Sequence, residues 1–155
     1  MSAVASMEPE KTLIPKVYRA MKVDSADGLP VVGTTNSSQL GIREGEVTLE
    51  SGIIVTDGKG MSVAPSWREL DGKRIPKRLR NLVPAATGAN NTACFMLGEQ
   101  GFHRAEMAVG LELVPDEVER GPIIHGVIAP LAPVSFDQYL NDLVQTRAAW
   151  QIDES

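Results

Sequence analysis

The stretch DGKGMSVAPSWREL, residues 57–70, is the most informative part of the sequence about the fold, because glycines lead directly into a short apolar segment. Gly58 and Gly60 predict a tight turn, because glycine accepts a positive φ without a Cβ clash. Residues 61–64 have the composition of a short strand, which Pro65 ends because proline cannot donate to a strand ladder. A bare glycine this close to a strand lets either another strand or a ligand approach the backbone.

Further strands are predicted on both sides of this stretch, where β-forming residues are bounded by turn residues. Between them, residues 24–38 are rich in Gly, Pro, Thr, Asn and Ser, which predicts a loop. A short helix is predicted near residues 77–82. The predicted strands lie at residues 17–23, 46–49, 53–56, 91–99, 109–116 and 121–130, and the last of them is expected to be buried in its first half.

One longer helix has strong support, near the C-terminal end of the sequence. Ser135 followed three residues later by Gln138 forms a capping box. Apolar residues then recur at helical spacing and predict a stripe that faces the core. These residues are Phe136, Tyr139, Leu140, Leu143, Val144 and Trp150. Many strands combined with one firm helix predict an α+β fold.

Length and composition predict one globular domain. The chain has 155 residues, of which 43% are hydrophobic and 23% charged, as is ordinary for a folded domain. We expect residues 1–11 to form a disordered leader and residues 12–155 to form a single domain. The net charge of -5 argues against a general nucleic-acid binder, because such proteins are normally basic.

Cysteine, histidine and hydropathy patterns exclude several classes of protein. Cys94 is the only cysteine, so no internal disulfide is possible, and its apolar neighbours predict a buried thiol. One cysteine and two distant histidines, His103 and His125, lack the spacing of a zinc site, so no metal is predicted. No apolar run is long enough for a signal peptide or a bilayer span, so we expect a cytoplasmic protein without a membrane partner.

Two single residues are candidates for chemistry, each with two interpretations. Arg19 lies in a predicted strand, where it either faces solvent or holds a phosphate or carboxylate with its guanidinium. His125 lies in an apolar segment beside Gly126, where it is either a core residue with its hydrogen bonds satisfied or a catalyst.

The segment KRIPKRLR, residues 73–80, is basic within an acidic protein. It predicts either a solvated basic face or an anion site for phosphates, RNA or an acidic partner. Acidic residues are frequent between residues 99 and 119, but no pairing singles out a general acid or base. Phosphate loops, dinucleotide fingerprints, nucleophile elbows and metal motifs are missing from the sequence.

Three stretches taken together resemble a known family: TLIPKVYRA (12–20), GKGMSV (58–63) and IIHGVIAPLAPVSFDQYLNDLVQTRAAW (123–150). They are similar to the short type VI secretion effector toxins with an ADP-ribosyltransferase-like fold. The shared elements follow the same order: a Tyr-Arg-Ala strand, a glycine-rich turn into Ser-Val, and a late strand reading H-x-x-I-x-P. A terminal helix ending in tryptophan completes the resemblance.

The resemblance implies two small packed β-sheets that form a cleft, a C-terminal helix, and NAD as the cofactor bound in the cleft. It implies catalytic roles for Arg19, Ser62 and His125, which should then converge on one pocket. The residues implied to bind the cofactor are Tyr18, Arg19, Gly60, Ser62, Lys77 and Arg78. The Glu-x-Glu or Gln-x-Glu pair of well-known transferases is missing, which leaves the catalytic carboxylate open.

By the same resemblance, the chain is expected to be a secreted toxin that acts in the cytoplasm of a rival cell. It would transfer ADP-ribose to a target macromolecule or hydrolyse NAD, and a cognate immunity protein would block it. Two alternatives remain open. One is a non-catalytic interaction module, such as an immunity or adaptor protein. The other is an NAD-dependent RNA 2′-phosphotransferase, which would hold RNA with the basic segment.

Overall fold

The computed structural model of the protein describes residues 13–155, so the leader predicted at residues 1–11 lies outside the described residues. Strands in this range are β1 (Val17–Lys22), β2 (Leu49–Glu50), β3 (Ile53–Ile54), β4 (Met61–Val63), β5 (Thr92–Leu97), β6 (Ala105–Ala108), β7 (Leu111–Pro115), β8 (Gly126–Pro130) and β9 (Gln151–Ile152). The α-helix α1 spans Phe136–Gln145. Single 3₁₀ turns occupy Glu44–Glu46, Trp67–Glu69, Lys77–Leu79 and Arg147–Ala149.

The strands form three small antiparallel sheets, and the predicted α+β class is confirmed. One sheet has the order β1-β5-β9, a second has the order β4-β8-β7-β6, and β2 and β3 form a short hairpin. The helix α1 follows the last strand of the four-stranded sheet. Within residues 13–155, no helix is both long and apolar enough to cross a membrane.

The two larger sheets meet at one corner, where β1 lies beside the end of β4. Tyr18 N donates to Ala64 O at 2.8 Å, and Ala64 N donates back to Tyr18 O at 2.9 Å. This is an isolated bridge, since the neighbouring residues of β1 and β4 do not continue the ladder. The sheets therefore separate from this corner and leave a cleft between β1 and β4.

The main core lies between the four-stranded sheet, β1 and α1. Side chains of a strand alternate between faces, so Met61 and Val63 are buried while Ser62 points the other way. On α1 the predicted stripe is confirmed, because Tyr139 and Leu143 are fully buried. The Tyr139 hydroxyl donates to the carbonyl of Ile128 and accepts from Met61 N (3.0 Å), which ties the helix to two strands.

The predicted capping box is confirmed in its first half, since Ser135 Oγ accepts a hydrogen bond from Gln138 N at 3.1 Å. The helix predicted near residues 77–82 is a single 3₁₀ turn, Lys77–Leu79. Its short length is consistent with the following residues, which form turns rather than a second helical turn.

Two strand predictions need correction. The strand predicted at residues 46–49 is a 3₁₀ turn ending at Glu46, followed by β2. The strand predicted at residues 121–130 begins only at Gly126, and its second half is the buried one. Gly121 has a φ of +83°, and Pro122 has no N–H to donate to a ladder, so the first half is a loop. Strands β6 and β9 were not predicted.

Candidate functional site

The cleft between the separating sheets contains two cavities, of about 320 and 530 Å³. Both are lined by Arg19, Ser62, Arg74 and His125, so they form one continuous site. The three residues that the resemblance singled out as catalytic therefore lie around one cleft, as expected. Further lining residues are Glu69, Leu70, Asp71 and Ile124 in the smaller cavity, and Arg43, Glu46, Lys59, Gly60, Asp116 and Val127 in the larger.

The pairing of β4, β8 and β7 explains why polar side chains meet here. Ser62 lies opposite Val127 in the β4–β8 ladder, and His125 lies two residues before Val127. His125 lies in the loop just before β8, and it lines both cavities together with Ser62. Asp116 directly follows Pro115, the partner of Gly126, and therefore lies beside His125.

Arg19 is buried, with 4% of its surface exposed, and contacts backbone rather than a carboxylate. Its Nη1 donates to Ser62 O at 2.9 Å. Its Nε and Nη2 both donate to Gln39 O, at 3.1 and 3.0 Å, and Nη2 also reaches Gly41 O at 3.4 Å. The guanidinium therefore joins β1 to β4 and to the loop at residues 39–41. Its hydrogen bonds go to backbone carbonyls, and the nearby charge of Glu46 also favours the charged form.

Two arginines of the site, Arg19 and Arg74, form no salt bridge with the described side chains, although carboxylates also line both cavities. Burial, together with the nearby charge of Arg74, lowers the pKa of Arg19 to about 10. Arg19 stays protonated at neutral pH, so both guanidiniums are charged. Arg74 is half-buried and makes no salt bridge within residues 13–155. An anion entering the cleft would be attracted by both residues.

His125 is held by Asp116 in two ways. Its Nδ1 lies 2.8 Å from Asp116 Oδ2, and the backbone N of Asp116 donates to the backbone O of His125 at 2.9 Å. The two side chains keep about half of their surface, 45% and 50%, open to solvent and the cleft. His125 is thus neither a core residue nor part of a strand, and lies in the loop just before β8.

Gly60 lines the larger cavity, but its missing side chain is explained by protein rather than by ligand. A Cβ at this position would collide with the carbonyl oxygen of Ile128 on β8 and would lie 3.0 Å from the Tyr139 hydroxyl. The close approach that the glycine permits is therefore that of a neighbouring strand. A ligand that approaches the backbone at Gly60 is not needed to explain this glycine.

Three residues expected to bind the cofactor lie away from the cleft. Tyr18 points to the opposite face of β1 from Arg19, and its hydroxyl donates to Asp153 Oδ2 at 2.7 Å. Arg78 forms a bidentate pair with Glu154, with distances of 2.8 and 2.7 Å. Lys77 is exposed and lines neither cavity of the cleft. Tyr18 and Arg78 instead bind Asp153 and Glu154 of the C-terminal segment.

Sequence reasoning missed Arg74 and Asp116 as cleft residues. Arg74 belongs to the basic segment at residues 73–80, but the sequence gives no reason to prefer it over its neighbours. Asp116 is the last residue of the strand predicted at 109–116 and directly follows β7, and its meeting with His125 depends on a ladder register that the sequence does not specify. Glu46 in the larger cavity, paired with Arg43 at 2.6 Å, was also missed.

Groups of three or more side chains that could hold a metal ion do not occur within residues 13–155. Comparison with known proteins gives no match: no family model, no curated protein and no solved structure matches the chain.

Proposed function

We propose that the protein is a bacterial toxin of the ADP-ribosyltransferase-like class, which binds NAD in the cleft and either transfers ADP-ribose to a target or hydrolyses NAD. One observation carries the proposal. Arg19, Ser62 and His125 belong to three separate motifs of the resemblance, and all three line one cleft between two small sheets. If the three short motifs resembled the family only by chance, their residues would not be expected to line the same cleft.

The charge of the cleft supports a phosphate-containing ligand. The pyrophosphate of NAD carries two negative charges, and Arg74 is a half-buried guanidinium without a salt bridge in the described part of the chain. Guanidinium groups bind phosphate oxygens in pairs and gain strength from partial burial. We therefore assign phosphate binding to Arg74 and a mainly architectural role to Arg19, whose donors already contact backbone carbonyls.

The size of the cleft and its carboxylates fit the reaction. Cavities of 320 and 530 Å³ lie in the range of small-molecule sites. Loss of nicotinamide from NAD leaves positive charge on the ribose, which an oriented carboxylate stabilises in the transition state. Glu46 in the larger cavity and Glu69 and Asp71 in the smaller are the carboxylates available for this role.

In this proposal the protein acts in the cytoplasm of a recipient cell after export by a type VI secretion system. A cognate immunity protein would cover the cleft, because covering it is the direct way to exclude NAD. The alternative of a non-catalytic interaction module predicts no affinity for NAD and no effect on growth.

The test expresses wild type, Arg74→Ala and Arg78→Ala in the cytoplasm of a bacterial host, and follows growth and total NAD together. Binding of NAD to the purified proteins is measured by calorimetry. We expect wild type and Arg78→Ala to arrest growth and to bind NAD alike, and Arg74→Ala to bind NAD at least tenfold more weakly. A fall in total NAD indicates hydrolysis or bulk transfer, and arrest at unchanged NAD indicates modification of a scarce target.

Arg78 is the matched control because it belongs to the same basic segment but lies off the cleft. A folded wild type that neither binds NAD nor slows growth would refute the proposal and favour the interaction module. Equal NAD binding by wild type and Arg74→Ala would refute the assignment of phosphate binding to Arg74.

A further inference from the structure

We propose that the Asp116–His125 pair is the general base of this cleft and that the acceptor of ADP-ribose is a group that must lose a proton in order to attack, such as water or a hydroxyl of a macromolecule. This inference rests on the proposed function, whose catalytic carboxylate the sequence left open. It assigns a role to Asp116, a residue that no sequence motif marked.

The geometry of the pair is that of an oriented base. Asp116 Oδ2 lies 2.8 Å from Nδ1 of His125, so the carboxylate accepts the Nδ1–H and fixes the ring tautomer. Nε2 then carries the lone pair, and no side chain of the described residues is hydrogen-bonded to it. The backbone hydrogen bond from Asp116 N to His125 O fixes the two residues relative to each other.

The His125–Asp116 pair lies where an acceptor can reach it from solvent. His125 lines both cavities of the cleft, whereas Asp116 lines the larger cavity only. The imidazole keeps 45% of its surface exposed, so water or a large acceptor can reach Nε2 without opening the protein. Ser62 lines both cavities with His125 and lies opposite Val127 in the β4–β8 ladder.

The charge of the pair indicates the class of acceptor. A neutral imidazole oriented by a carboxylate removes a proton from a group that must lose one in order to attack, such as a hydroxyl. A carboxylate acceptor is already ionised and would gain nothing from such a base. Asp116 would also repel a carboxylate acceptor, because the two groups carry the same charge.

The reaction balances in one displacement. The acceptor oxygen forms a bond to C1′ of the nicotinamide ribose as its proton passes to His125 Nε2. The C1′–N bond breaks, and its electron pair neutralises the pyridinium nitrogen, so nicotinamide leaves as a neutral molecule without needing a proton. The products are nicotinamide and an ADP-ribosylated acceptor, or free ADP-ribose when the acceptor is water. Asp116 stabilises the imidazolium until the proton is lost to solvent.

The experiment uses the purified full chain with NAD labelled in its adenylate, with and without a host-cell lysate as a source of acceptors. Nicotinamide release measures turnover, acid-precipitable label measures transfer to a macromolecule, and soluble ADP-ribose measures hydrolysis. The variants are His125→Ala, His125→Gln and Asp116→Asn, and His103→Ala is the control for removal of a histidine from an exposed site. Affinity for NAD is measured for each variant by calorimetry.

We expect His125→Ala and His125→Gln to bind NAD within about threefold of wild type and to lose turnover by about 100-fold or more, the usual contribution of a general base. Added imidazole should restore part of the turnover of His125→Ala, which a merely structural role would not allow. Asp116→Asn should lower turnover with NAD affinity retained, as expected for a positioning residue, and His103→Ala should match wild type.

Turnover of His125→Ala equal to that of wild type would overturn the inference and leave the proposed function standing. Loss of turnover with a parallel loss of NAD affinity and no rescue by imidazole would also overturn it, since His125 would then be a binding residue. A wild type that neither binds nor cleaves NAD in either mixture overturns the proposed function, and this inference with it.

Discussion

Arg19 Nη1 donates to the backbone carbonyl of Ser62 at 2.9 Å, so the two residues are joined through main chain rather than through the serine side chain. This bond crosses the cleft at the place where β1 and β4 stop pairing. A second carbonyl, that of Gln39, accepts from both Nε and Nη2 of the same guanidinium. Arg19 therefore determines how the two sheets separate, and the shape of the cleft depends on it.

Arg19→Ala is expected to lower the free energy of unfolding by on the order of 3 kcal/mol or more, because it leaves buried carbonyls without a donor and opens a cavity. Urea denaturation monitored by tryptophan fluorescence measures this loss. Arg74→Ala, at a half-buried arginine of the same cleft, should stay within about 0.5 kcal/mol of wild type. Equal stability of Arg19→Ala and Arg74→Ala would contradict the architectural role of Arg19.

Because Arg19 stabilises the fold, its substitution is a poor test of function. Loss of toxicity in Arg19→Ala is also the result expected from unfolding alone, since the substitution removes the contacts between β1, β4 and the loop at residues 39–41. Substitutions of Arg74 and His125 are better probes of function, because neither side chain is buried in the core.

Gly60→Ala is expected to destabilise the protein by about 2 kcal/mol or more, because the new methyl group would meet the Ile128 carbonyl, which belongs to backbone and cannot easily move. Thermal unfolding followed by circular dichroism measures the effect. Gly45→Ala is the matched control, since a Cβ there has no neighbour within 4 Å and the same cavity is lined by Gly45. Gly45→Ala should be neutral or slightly stabilising.

Local signals predicted a large part of this architecture. The strand ended by Pro65 and the N-cap at Ser135 depend on residues within a few positions of one another, and both are present in the structure. Of the two glycines predicted to form a tight turn, Gly58 has a positive φ of +82°, whereas Gly60 does not. The buried stripe of α1 follows from helical periodicity in the same way.

The features that the sequence did not predict depend on distant partners. β9 has two residues and exists because it pairs with Phe95 and Met96 of β5. β6 is an edge strand of four residues, Ala-Glu-Met-Ala, which is too short to show a clear alternation. At the site, the meeting of Asp116 with His125 depends on the β7–β8 register, and no local pattern specifies a register.

Cys94 is expected to be unreactive in the native protein. Burial and the nearby charge of Glu154 raise the pKa of the thiol to about 12, so almost no thiolate is present at pH 8, and the side chain is fully buried. A colorimetric disulfide reagent at pH 8 should therefore react with less than a tenth of the protein within minutes. In denaturant the same reagent should titrate the single thiol completely. Rapid reaction of the native protein would show that β5 opens readily.

Tyr18 makes stability depend on pH in the alkaline range. Burial, aided by the hydrogen bond to Asp153, raises the pKa of the phenol from its ordinary value near 10 to about 12. Below pH 10 the phenol is protonated in both the folded and unfolded states, and its contribution to stability is complete. Between pH 10 and 12 only the unfolded state ionises, so stability is lost, by at most about 2–3 kcal/mol for two pKa units.

Urea denaturation at pH 8, 10 and 11 measures this loss. In Tyr18→Phe the part of the alkaline loss that comes from this phenol should be absent, although the variant should be less stable at pH 8 because Asp153 loses its partner. Burial also raises the pKa of Tyr139, so wild type and Tyr18→Phe share the alkaline loss that comes from that residue. Identical slopes of stability against pH in the two proteins would contradict the assignment to Tyr18.

Arg78→Ala is expected to lower stability by about 1 kcal/mol and to leave the cleft unchanged. Its guanidinium pairs with both oxygens of Glu154, a carboxylate whose side chain is 16% exposed and which also accepts from Cys94 N at 3.1 Å. Loss of Arg78 leaves that charge poorly compensated, although the exposure of the arginine limits the effect.

A double-mutant cycle with Glu154→Gln separates this pair from the rest of the basic segment. If Arg78 acts through Glu154, the two substitutions together should cost less than the sum of their separate effects, and neither should change the affinity for NAD. Additive effects on stability, or a loss of NAD binding in Arg78→Ala, would instead assign this arginine to the ligand.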